Sequence, residues 1–346
     1  MRRSFRAALV IVVLAACVGF DAHAQRAMPR FWFCPGPGTL DYVRLFDSPQ
    51  AWSHARLLVS VFKFYQQHTQ MPPDPIVGPN TYDALARAGV FRQLKQWHIE
   101  TGIEVASVKD FYCTSDARGM NEAIAATLAS VHAVESAGGS VSYLSMDDPF
   151  AGGLAPVCGG PAPEPSADRI ATYTRGVRAA LPSVRIGWIE AYPLSSADAI
   201  ESMMGLLAAR GALPAFLHMD VDMPFLVRRG RTDDFVRDMK RLRDAASARG
   251  MQFGIIIWGN NGDADALYAL DAERILESLT ATFPTSDSMP DHIVVQSWAE
   301  SSTGLRITPT NLPEDQLYTH TNLLWNAFRR LRGQTAPATG VAVGRR

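Results

Sequence analysis

Short apolar runs recur along this chain with longer, helix-like stretches between them, and that alternation restricts its fold more than any other feature. Eight runs have strand length and β-branched or aromatic content: "RFWFCPG" (30–36), "RLLVSVFKFY" (56–65), "IEVASVKDFY" (103–112), "SVSYLSM" (140–146), "VRIGWIEAYP" (184–193), "AFLHMDVD" (215–222), "QFGIIIWGNN" (252–261) and "HIVVQSWAES" (292–301). Helical patterns follow at about 121–136, 167–181, from 196, 232–249, 264–282 and 314–332, with a short helix at about 48–56 in the first unit.

Eight strands alternating with helices is the count of a (β/α)8 TIM barrel, which typically takes about 250 residues and more with insertions. The spacing places one such domain over residues 25–332, with 333–346 as a disordered tail. A doubly wound open sheet competes. It would carry a glycine-rich turn after the first strand and gather its polar residues at one switch point. This chain has no GxGxxG there, and its polar residues cluster after nearly every strand. Two segments, 66–80 and 149–166, are too dense in Gly and Pro for long regular structure, and both follow strand ends.

The first 24 residues read as a signal peptide. Arg2, Arg3 and Arg6 precede the apolar run "AALVIVVLAACVGF", and "AHA" at 22–24 supplies small residues for cleavage. The run is too short for a comfortable membrane span. "LAAC" at 14–17 also matches a lipobox, in which Cys17 would carry a lipid anchor, and "RRSF" faintly resembles a twin-arginine signal. Either route exports the chain to the periplasm or beyond. Export permits disulfides. Of Cys34, Cys113 and Cys158, the last two would lie in loops after consecutive strands and are expected to pair. Such a bridge would contribute about 4 kcal/mol in the chain-entropy model. Three buried free thiols are the alternative.

The formal charge is −1, and removing residues 1–24 lowers it to −3. That is no electrostatic footprint for nucleic acid. The chemistry is therefore sought at the strand ends, where barrels of this kind place their sites. Lys63 and Tyr65 end the second run, Lys109 and Asp110 the third, Asp147 and Asp148 the fourth, Glu190 and Tyr192 the fifth. His218, Asp220 and Asp222 share one face of the sixth; Trp258, Asn260 and Asn261 end the seventh; Gln296, Trp298 and Glu300 share one face of the eighth. On the fourth strand, parity lets only one aspartate point inward, and Asp147 is expected to do so, with Asp148 lifted into the mouth by the turn at Pro149.

Carboxylates converging from different strands raise one another's pKa, which suits acid/base work. Hydrolysis of a glycosidic bond needs such a pair. The expected catalytic acids are Asp147 or Asp148, with Glu190 and Asp220 as candidate partners. Aromatic faces (Tyr65, Tyr192, Trp258, Trp298) would pack against sugar rings. His218, Asn260, Asn261 and Gln296 would bond hydroxyls, and Lys63, Lys109, Asp222 and Glu300 complete the expected substrate-binding set. No cofactor and no metal site is expected.

In architecture and strand-end residue types, residues 30–332 resemble the (β/α)8 glycoside hydrolase superfamily. That resemblance implies an acid after the fourth strand, matched by Asp147 and Asp148. A partner after the fifth would match Glu190, as in amylase-like enzymes; one on the sixth would match Asp220, as in α-galactosidase-like ones. "SMDDP" lacks the Asn-Glu pair of the large retaining clan, and no subfamily is matched. Two other readings stay open. A non-catalytic sugar-binding barrel would keep the aromatics. A metal-dependent, enolase-like lyase would use Lys63 as base with Asp148, Glu190 and Asp220. Bridges from Lys63 or Lys109 to the acids could be purely structural, and Glu104 fits a buried barrel network.

Overall fold

The computed structural model describes residues 28–105, 109, 117–153, 162–304 and 307–333. The leader with Cys17, the expected Cys113–Cys158 pair, Asp110 and the tail from 334 onward lie outside the described residues. Eight parallel strands close in sequence order: β1 (Arg30–Cys34), β2 (Val59–Tyr65), β3 (Glu100–Val105), β4 (Tyr143–Met146), β5 (Arg185–Tyr192), β6 (Phe216–Val221), β7 (Gln252–Ile257) and β8 (His292–Gln296). β1 pairs with both β2 and β8, so no edge is left open.

The strands alternate faces as the pleat requires. Trp32, Val61, Tyr143, Ile189, Phe216, Ile256 and Val294 pack inside the barrel. Their neighbours in sequence, such as Phe31, Phe62, Leu144, Trp188, Leu217, Ile255 and Ile293, join the larger core under the helices. Large interior side chains need small partners. A Cβ on Gly187 would lie 2.0 Å from the Phe216 ring, and one on Gly254 would lie 2.6 Å from His218. Glycine at those two positions gives the interior rings their space, so alanine at Gly187 would overpack the barrel.

Helices α1 (Arg44–Asp47) and α2 (Ser53–Leu58) fill the first connection, α3 (Tyr82–Arg87) and α4 (Val90–Gln96) the second, and α5 (Ala117–Ser136) precedes β4. Then come α6 (Pro149–Gly153) and α7 (Pro163–Ala180), α8 (Ala197–Ala209), α9 (Met223–Arg228) and α10 (Thr232–Ser247), α11 (Asp265–Thr282) and α12 (His320–Leu331). α10 shows why they dock: Phe235, Met239, Leu242 and Ala246 recur every three to four residues and are buried, while Asp233 and Asp234 sit in its first turn. Side-chain caps start others, with Ser196 accepting from Ala199 N and Thr319 from Asn322 N. The short first unit is tied to the last. Glu314 accepts from the backbone N–H groups of His54 and Ala55, at 3.1 and 2.7 Å, and so caps α2. Among the described residues no helix is long and apolar enough to cross a membrane.

The structure moves three sequence boundaries. The third strand begins at Glu100 rather than at 103, because Gly102 interrupts the apolar pattern although its missing side chain is what lets Trp32 fill the interior. α3 and α4 were not legible as helices, being two short pieces split by Gly89 at φ 71°. The last helix begins at His320, and 314–319 is irregular because Glu314 is turned away to cap α2. Cys34, ending β1, is a buried free thiol, pushed up to about 12 by burial.

Candidate active site

A cleft of about 240 Å3 opens at the C-terminal ends of the strands. Tyr65 from β2, Glu104 from β3, Asp220 from β6 and Gln296 from β8 rise into it along the inward set of each strand, with Trp298 just beyond β8. Asp147 continues the inward set of Tyr143 and Ser145, and its N–H donates to Val105 O at 3.0 Å, one residue beyond the strand. Asp148 reaches the same cleft by a turn. Its φ of 39° is left-handed, its Oδ1 accepts the Ala191 N–H at 2.9 Å, and α6 starts immediately after it.

Lys109 joins the two aspartates. Its Nζ lies 3.0 Å from Asp147 Oδ2 and 3.4 Å from Asp148 Oδ2. Burial works against the lysine charge, but both carboxylates outweigh it and raise its pKa. Asp148 is pushed up to about 6 by burial and by Asp147, against the pull of Lys109. Asp220 goes well above the usual carboxylate range, through burial first and then the charges of Asp148, Asp147 and Glu104. Its Oδ1 is buried without a hydrogen-bond partner.

Beneath the cleft lies a second set. Lys63, with no exposed surface, donates to Glu104 Oε2 at 2.5 Å and to Gln296 Oε1, while Gln296 Nε2 donates to the same Glu104 oxygen at 2.9 Å. Burial raises the Glu104 pKa and Lys63 opposes it; Lys63 in turn keeps a raised pKa because Glu104 offsets its own burial. Lys63 is therefore a support of the floor rather than a group that meets a ligand. An enolase-like base would have to be free to take a proton, and this ammonium is held by two partners. Among the described residues, no cluster of three or more His, Cys, Asp or Glu side chains is arranged to hold a metal ion.

Several expected site residues stand elsewhere. Glu190 and Tyr192 share the outward face of β5 with Trp188, so the expectation that Glu190 points inward is corrected. Glu190 accepts from Trp188 Nε1 at 2.5 Å, Ser195 Oγ at 2.9 Å and the N–H groups of Phe150 and Ala151 at 3.3 and 2.8 Å, thereby anchoring α6. Tyr192 donates to Asp238 of α10 at 2.6 Å. His218 points inward but one layer too deep: its Nε2 lies 2.8 Å from His292 Nδ1, and both rings pack on Trp32. Asp222 leaves the strand to cap α9, accepting from Phe225 N at 2.9 Å and Asn260 Nδ2 at 2.7 Å. Asn260, Asn261 and Glu300 line a neighbouring depression with Arg228 and Arg274. Trp258 backs the cleft, stacked on Trp298 at 4.3 Å with its indole donating to Val221 O.

The cleft thus brings together Asp147, Asp148, Asp220, Lys109, Tyr65, Gln296 and Trp298 from the expected set, and adds Glu104 as a lining residue. Period-2 register with Gly102 was the signal for Glu104, and it was obscured by the late placement of the third strand.

No protein-family model matches this chain, and no curated protein matches it. Solved structures do. A glucosidase from Croceicoccus marinus superposes with TM-score 0.53 at 12% identity, over 89% of this chain and 68% of that one. GH5_18 from Streptomyces cattleya, solved in complex with GlcNAc, gives 0.53 at 12% identity over 90% and 82%. A GH10 endoxylanase retrieved from a sugarcane soil metagenome gives 0.53 at 10% over 89% and 97%. The chain has the fold of the (β/α)8 glycoside hydrolases. At these identities the likeness concerns the barrel alone, and what the cleft does must be argued from its own residues.

Proposed function

We propose that the protein is an exported glycoside hydrolase whose acid/base pair is Asp220 on β6 with Asp147 after β4. One observation carries this reading: Asp147, Asp148 and Asp220 reach one cleft from two different strands, beside Trp298 and Tyr65. Asp220, kept protonated by burial and by its acidic neighbours, gives its proton to the leaving glycosidic oxygen. Asp147, ion-paired with Lys109 at 3.0 Å, supplies the carboxylate that attacks the anomeric carbon or activates water. Asp148, pinned between Ala191 N and Lys109, positions that pair. Trp298 provides a flat face for a sugar ring. Export rests on Arg2, Arg3 and Arg6, the apolar run and the small residues at 22–24, with lipidation at Cys17 as the alternative route.

A second reading has its own support. The Lys109 bridge to both aspartates is what a non-catalytic sugar-binding barrel would show if these acids were structural. One experiment separates the two: turnover on a glycan panel by wild type, Asp220→Asn and Asp147→Asn. An enzyme loses at least about 100-fold in each variant, the usual scale for removing an acid/base group. Binding without any turnover by the wild type would leave only the binding barrel.

A further inference from the structure

The charges of the cleft do not balance. Glu104, Asp147, Asp148 and Asp220 bring four carboxyl groups to one small cavity. Among the described residues, Lys109 is the only cation on its wall and Lys63 the only one in its floor. Both are already engaged, Lys63 by Glu104 and Gln296, Lys109 by Asp147 and Asp148. Among the described residues, a uronate or sulfated sugar entering here would meet carboxylates and no uncommitted ammonium, an arrangement that repels it. With Asp220 protonated, the carboxylates of Glu104, Asp147 and Asp148 still outnumber the two lysines, and a neutral sugar would strip water from them while leaving that remaining charge uncompensated.

A second, independent feature points the same way. Asp220 Oδ1 is buried without any partner, on the inward face of β6, where it lines the cleft. Such an atom is costly unless a ligand supplies a donor. Beside it, Trp298 offers an indole, whose face attracts an ammonium as well as a sugar ring. The raised pKa values of Asp148 and Asp220 reflect the same negative potential, which an incoming cation would relieve.

We infer that the cleft takes a cationic sugar, a chain of amino sugars with free rather than acetylated amino groups. The inference rests on the glycan reading of the cleft and narrows its substrate class. The ammonium would lie among Asp147, Asp148, Asp220 and Glu104, supplying the positive charge the two lysines have spent on one another's neighbours.

The test uses the full mature chain and five probes: hexamers of β-1,4- and β-1,6-linked glucosamine, the β-1,4-linked N-acetylglucosamine hexamer, cellohexaose and a galacturonate hexamer. Binding is measured by calorimetry at low and high salt, and cleavage is followed by product analysis. At least one glucosamine hexamer should bind about tenfold or more tightly than the three others. That preference should shrink as salt screens the cleft. Asp147→Asn should weaken glucosamine binding by a clearly larger factor than it weakens any cellohexaose binding, because only the cationic sugar loses a charge partner. Selective glucosamine binding supports the inference even if nothing is cleaved, and the missing turnover then counts against the hydrolase reading alone. Equal or tighter binding of the acetylated, neutral or acidic hexamer overturns the inference, and their cleavage would leave the hydrolase reading standing. Binding of none of the five also overturns it.

Discussion

Lys109 Nζ sits between Asp147 and Asp148, 3.0 Å from one carboxylate and 3.4 Å from the other, and ties the end of β4 to the segment that follows β3. Two adjacent acids at a strand mouth would repel each other without it. The pair therefore has one cation holding two negative groups at the cleft that Asp220 also lines, and its effect can be measured.

Removing that cation should make the acids easier to protonate. Lys109→Met takes away the group that pulls the Asp148 pKa down from the value burial and Asp147 would impose. The titration of Asp148, now at about 6, is expected to move upward by at least about half a unit. The acidic limb of kcat/KM should move to higher pH with it. Carboxyl 13C titration reads the shift without any substrate, and an unchanged Asp148 midpoint would rule out the lysine as its control.

Glu190 should matter for stability, and with a pH signature. Four donors surround its carboxyl, and in Glu190→Gln the amide NH2 must face at least one backbone or indole N–H. A cost of about 1–3 kcal/mol is expected from that mismatch. Burial and the Asp148 charge push the Glu190 carboxyl up to about 8, so folded protein holds this proton where unfolded chain has lost it. Wild-type stability from this group therefore falls as pH rises from about 4.5 to about 8. Glutamine does not titrate. Urea unfolding should show the variant at its greatest disadvantage near pH 5, with that disadvantage lost or reversed as pH rises toward 8, because only wild type loses stability over that range; a disadvantage of the variant that grows with pH would contradict the assignment.

His218 and His292 should make the barrel acid-sensitive. Burial lowers both, His292 to about 3 and His218 well below its usual value, so both stay neutral in the fold. Their contribution is complete above about 6.5 and is lost as pH falls from there toward about 3, because the unfolded chain binds the protons first. The slope is up to about 1.4 kcal/mol per pH unit for each histidine. His292→Asn keeps a polar atom near the Nδ1 position and removes one titrating group. Its stability should decline less steeply than wild type between pH 6 and pH 4 in chemical denaturation, and parallel slopes would refute the role of this ring.

What the sequence determined by itself is the barrel and its inward sets. Strand length, β-branched content and period 2 are local properties, and eight repeats of them leave few ways to bury every apolar face. That is why Asp220, Gln296 and Trp298 could be placed on one side of their strands before any coordinates. Tertiary structure decided depth and direction. His218 has the parity of Asp220 yet lies one layer lower, where His292 and Trp32 close over it. Glu190 has the residue type of a catalytic acid, but β5 turns Ile189 and Ala191 inward and sends Glu190 to hold α6. Asp148 enters the cleft only because its backbone takes a left-handed φ and bonds to Ala191, a partner 43 residues away. Alternation along a strand fixes which face a side chain shares. How far along the barrel axis it sits, and which distant group neutralises it, depends on register between strands and on contacts that no local pattern encodes.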